Sequence, residues 1–238
     1  MTKACHLKVK EDHSLILIGA VHGDPSGYAR AAKLLAHLAP HLVTVEISPF
    51  SLRYRGKHGP GWQRQLARVL SQLPAEASRH LAIQRLTAQV ALPFEVRAAR
   101  DYHRLSGTPW RPLDLGGPAR RHLPRYGPEL LDSANLQTLL QTADGSLDEY
   151  VATQFRRARR ALAHPPPRLP TSRTPETLRR EQFLARRLRA LMSRYRRVAH
   201  LGGWEHLVAW QDDPCLWRQL ADVQPRRLLL DDADQLSP

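Results

Sequence analysis

The chain has 238 residues, 42% hydrophobic and 24% charged, a balance that supports a folded core and excludes wholesale disorder. No apolar run approaches the ~18–20 residues of a membrane span. No basic-then-apolar leader opens the chain, and two cysteines, Cys5 and Cys215, make neither a disulfide framework nor a zinc knuckle, so a cytoplasmic setting is expected.

The formal net charge of +14 is concentrated in one region. Between Gln154 and Arg197 stand 14 arginines and no lysine against Glu176 and Glu181, a net +12. That segment (154–197) is expected to give at most weak binding to a polyanion or an acidic partner.

In chain order, Leu15-Ile16-Leu17-Ile18 reads as a buried strand ending at Gly19. Ala31, Leu34, Leu35 and Leu38 are spaced as one face of a helix over 26–38, with Pro40 beyond its end. A second strand, Leu42-Val43-Thr44-Val45, ends at Glu46. Helical patterns follow over 63–73 and 75–90, then over 94–105 between Pro93 and Gly107. A weaker strand runs from Trp110 towards Asp114. Helices are expected over 128–140 and 146–162, followed by a stiff linker at Pro165-Pro166-Pro167 and Pro170. Thr174-Pro175 supplies an N-cap and first-turn proline for a helix striped by Leu184, Leu188, Leu191 and Tyr195. The last strands are Val198-Ala199-His200-Leu201 before Gly202-Gly203, and Leu228-Leu229-Leu230 before Asp231-Asp232.

Short, nearly continuous apolar strands alternating with helices predict an α/β fold with a mainly parallel central sheet flanked by helices. One domain is expected over 1–238. The strandless stretch of about 56–90 reads as a helical cap insertion, and about 164–175 as a Pro-rich loop.

Two Gly-x-x-His motifs follow buried-type strands: Gly19-Ala20-Val21-His22 and Gly203-Trp204-Glu205-His206. Ligand sites in parallel sheets lie beyond the carboxyl ends of the strands, so neighbouring strands would bring both histidines to one crevice. Glycine there would allow a sharp turn and keep the crevice open. Glu46 and Asp114 end strands in the same way. His22, Glu46 and His206 offer imidazole and carboxylate ligands suited to a divalent metal, with Glu205 as a base or further ligand. Acid–base work without metal uses the same residues. Arg53 and Arg55 follow Glu46 closely enough to hold an anionic substrate group. Trp204 reads equally as a pocket wall and as packed core.

These residues carry a resemblance. The chain resembles the TraB/PrgY/Tiki family, within the wider superfamily of erythromycin esterases and ChaN-like haem binders. The matching segments are 15–22, Leu42 to Glu46, Glu95 to Asp114, Arg180-Glu181-Gln182-Phe183-Leu184-Ala185, and 198–206, in that order. Ser48 stands where the family often has aspartate, and Leu115 where an arginine often follows Asp114. The resemblance implies a metal-dependent, peptidase-like hydrolase acting on a peptide or small molecule. His22, Glu46 and His206 would be ligands or catalytic groups of a manganese, cobalt, zinc or iron ion. Glu95 and Glu181 would act in acid–base or supporting roles, and Asp114 beside the substrate. Glu181 reads equally as a partner in a helix-surface ion pair. The alternative is a non-catalytic protein that holds a peptide signal or haem in the same crevice.

Overall fold

The computed structural model describes residues 14–142, 144–164, 174–208 and 215–237. The linker at 165–173 lies outside them, as does Cys5. Five parallel strands, β1 (Ser14–Ala20), β2 (Leu42–Val45), β3 (Trp110–Pro112), β4 (Arg197–Gly203) and β5 (Arg226–Leu229), form one sheet in the order β3-β2-β4-β1-β5. Successive residues of a strand point to opposite faces. Every residue of β2, and all but the first of β1 and β4, is buried, so both faces of the sheet centre are covered. That is why these segments read as unbroken apolar runs.

The helices are α1 (Gly27–Leu38), α2 (Pro49–Leu70), α3 (Leu81–Val90), α4 (Phe94–Ser106), α5 (Gly116–His122), α6 (Ser133–Leu140), α7 (Leu147–Ala163), α8 (Pro175–Met192) and the short α9 (Leu216–Gln219). α1 packs on α4, and α8 on α9 and β4. Among the described residues no helix is long and apolar enough to cross a membrane.

Several boundaries differ from the sequence reading: the helix expected over 75–90 starts at Leu81, after a 3-10 turn over 75–79, and the last strand runs over Arg226–Leu229. The helix expected from 63 begins at Pro49 and runs through Pro60. Ser48 starts it: its side chain accepts a hydrogen bond from the Ser51 amide at 3.0 Å, ahead of a first-turn proline. Ser48→Ala is expected to lower stability by about 1 kcal/mol, read by urea denaturation; an unchanged midpoint would refute the cap. The helix expected over 128–140 starts instead at Ser133, because Asp132 caps it by accepting from the Ala134 amide at 3.0 Å.

A second, smaller core lies apart from the sheet. Trp62, Leu66 and Val69 of α2, Ile83, Leu86 and Val90 of α3, and Leu123, Leu131 and Leu136 pack together. The helical cap is thus wider than 56–90: it takes in α2 and α3 and is completed by α5 and α6 from the next crossover. It stands over the carboxyl ends of the strands.

Candidate functional site

The strand order places β4 between β1 and β2, so the loop carrying His206 emerges between those carrying His22 and Glu46. In the β1–β4 ladder Gly19 pairs with Gly202 and Ala20 with Gly203, which sets the two Gly-x-x-His motifs side by side. The motif glycines serve close approach, and neither Gly19 nor Gly203 has a positive φ. A Cβ on Gly19 would lie 2.9 Å from the Trp204 backbone. A Cβ on Gly202 would lie 2.5 Å from Glu46 Oε2. The short helical turn Trp204–Leu207 and the Glu46 carboxylate can therefore sit directly on the strands.

His22 sits at the floor of the cleft with 60% of its side chain accessible. Its Nδ1 donates to Glu95 Oε1 at 2.8 Å, and the Glu95 side chain is 3% accessible. Burial among protein groups disfavours the imidazolium. The Glu95 hydrogen bond and the charges of Glu95, Glu46 and Glu205 outweigh it and raise the His22 pKa to about 9. The other ring nitrogen, Nε2, lies on the Gly203 side, where Glu46 Oε2 and Glu205 Oε2 also border that glycine.

Glu46 is the centre of the cluster. Oε1 accepts from His206 Nε2 at 3.0 Å and from Arg180 Nη2; Oε2 accepts from the Gly203 amide at 2.6 Å. Burial opposes its charge, but His206, Arg180 and His22 hold it well below the usual carboxylate range. His206 is buried, and its Nδ1 donates to Glu181 Oε1 at 2.8 Å. With a carboxylate on each nitrogen, its pKa rises to about 10 against the effect of burial. Glu181 is 1% accessible, so it belongs to the site rather than to a surface ion pair.

Arg180, which opens the family-like segment 180–185, and His200 were given no site role from sequence. Arg180 donates to both oxygens of Asp114, at 2.7 and 2.8 Å, while also bonding Glu46. Asp114 lines the cleft, and its carboxylate is spent on this fork. Burial opposes the Arg180 charge, but Glu46 and Asp114 raise its pKa. His200 lies in β4 at 2% accessibility. Thr44 Oγ1 donates to the Ala199 carbonyl at 3.3 Å, so His200 Nδ1 donates to that hydroxyl at 2.9 Å. The His200 Nε2 lone pair is buried with no hydrogen-bond partner, and burial lowers the ring's pKa to about 4. Its sequence signal is a polar residue inside an apolar strand.

A cavity of about 1120 Å³ separates this cluster from the cap. Ser51 and Arg55 of α2 line it, along with Trp204, which is also buried, and Glu205. Arg53 does not. Ser51 and Arg55 share a helix face at a four-residue step; Arg53 lies between them on the opposite face and is exposed. Its expected substrate contact is therefore corrected. Arg156, Arg157, Arg159 and Arg160 of α7 are all exposed, and Arg159 pairs with Asp231 and Asp232.

Among the described residues no group of three or more His, Cys, Asp or Glu side chains is arranged as a ready metal site. Comparison with known protein families, curated proteins and solved structures finds no match to the chain.

Proposed function

We propose that the cleft is the reaction centre of a hydrolase, metal-dependent and peptidase-like, as the resemblance to the TraB/PrgY/Tiki family implies. The observation that carries this reading is His22. Its Nδ1 is fixed by the buried Glu95, and its exposed ring opens on a cavity large enough for a peptide-sized substrate. At neutral pH the metal-free His22 is an imidazolium, a proton donor at the cavity floor. Arg180 holds Glu46 and Asp114 in place, and Glu181 orients His206.

His22, Glu46 and His206 would hold the divalent ion. Two imidazoles, each oriented through Nδ1 by a buried carboxylate, are what metal-binding histidines require. When bound, such an ion supplies Lewis acidity and a water of lowered pKa; manganese, cobalt, zinc and iron all suit these donors.

The test is a panel of chromogenic esters and blocked peptides with each metal and without. Turnover that falls at least a hundredfold in His22→Ala, with an unchanged circular dichroism spectrum, is expected. No turnover on any substrate, and no metal retained after supplementation, would reject the proposal. Ligand capture without turnover, including a visible band on adding haem, would make the protein a non-catalytic binder. The same reading takes a cytoplasmic setting and allows weak polyanion contact through the exposed arginines of α7 and α8.

A further inference from the structure

We infer that the cleft selects substrates bearing an anionic group held by Arg55. The inference rests on the hydrolase reading and narrows its substrate.

The cavity divides its charges unevenly. On the floor, the cations His22, His206 and Arg180 are all paired with carboxylates. On the cap side, Arg55 and Arg85 line the same cavity, and Arg97 of α4 borders it too. Among the described residues none of the three makes an ion pair. Arg55 Nη1 donates to the Gln89 and Ala91 carbonyls at the end of α3, and its guanidinium lies 5.6 Å from the Tyr126 ring centroid. Those contacts fix the group but do not neutralise it, and burial lowers its pKa. Arg85 is placed over Tyr150, at 4.6 Å. A guanidinium fixed in a cavity wall without an anion is a binding site for one, since its planar fork matches a carboxylate.

Leu86, Leu130 and Leu139 line the same cavity. The fitting substrates are therefore acyl chains or short peptides ending in a carboxylate.

Two substrate series test this. One is p-nitrophenyl monoesters of dicarboxylic acids of increasing length, each beside its methyl-capped twin. The other is N-blocked peptides with free or amidated carboxyl termini. The free carboxylate should raise kcat/KM by about tenfold to a hundredfold, as a charge-assisted bond does. In Arg55→Gln the charged-to-neutral ratio should fall to about one, and in Arg55→Lys it should be intermediate, because the charge remains but the fork is lost. Hydrolysis with a ratio near one in the natural protein, or a ratio unchanged in Arg55→Gln, would overturn the inference and leave the hydrolase reading standing. If nothing is hydrolysed, calorimetry with long-chain dicarboxylates separates the two ideas. Binding lost in Arg55→Gln would uphold the anion site while rejecting the hydrolase, and no binding would overturn the site too.

Discussion

Glu46→Leu is expected to lower stability by about 3–5 kcal/mol, the cost of removing one partner from a buried ionic network. Glu46 touches the His206 ring, the Arg180 guanidinium and the Gly203 amide together. Leucine would leave an imidazolium and a guanidinium with one carboxylate each, Glu181 and Asp114, and the amide without its acceptor. At about 2–4 °C per kcal/mol for a chain of this size, the melting temperature should fall by roughly 10 °C. Glu46→Gln keeps an acceptor for Gly203 and should cost less. Adding Arg180→Met to Glu46→Leu should recover part of the loss, since neighbours in one network do not act additively. A loss below about 1 kcal/mol in Glu46→Leu would show that these charges are solvated and that the network is not the centre of the fold's polar core. Hydrolysis, if present, should be lost in both Glu46 variants, but only glutamine separates chemistry from collapse of the cleft.

The parts of this site that sequence could show are those encoded locally. β1, β2 and β4 are legible because burial on both faces removes every polar residue but Thr44 and His200 from their middles. His22 and His206 stand out because their glycines sit at strand ends. The strand order is not local. Nothing in 197–203 says that β4 inserts between β1 and β2, and without that insertion Glu46 and His206 would not meet. Arg180 was hidden for a related reason. It is one of many arginines in its segment, and its carboxylates lie 66 and 134 residues away in the chain. The start of α2 was obscured by Gly56, Gly59, Pro60 and Gly61, which argue against a helix, although Ser48-Pro49 is a start signal that the structure uses. Arg53 and Arg55 looked equivalent because sequence distance from Glu46 does not distinguish helix faces, whereas a two-residue step nearly reverses direction on a helix.

The stability of the metal-free protein should fall below about pH 5.5 because of His200. Its folded pKa is held at about 4 by burial, while the unfolded ring takes its proton near 6.5. The unfolded state therefore binds the proton first, and the stability this residue contributes above pH 6.5 is lost as the pH falls towards 4. The limiting slope is about 1.4 kcal/mol per pH unit. His206 and His22 act in the opposite direction. Their folded pKa values, about 10 and about 9, give stability that is complete below the unfolded value and is lost as the pH rises through those values. Glu46, with a lowered folded pKa, contributes stability that is lost as the pH falls through the unfolded carboxylate value, near 4.3, and below it. Between about pH 5.5 and 5 the two raised histidines are close to their limit and Glu46 has lost little, so among these groups His200 supplies most of the slope. Urea denaturation across this window should give a falling free energy in the natural protein and a nearly flat one in His200→Phe, whatever the variant's absolute stability. If the two slopes coincide, the buried Nε2 is protonated or solvated in the folded state, and β4 does not carry a neutral histidine beneath the site.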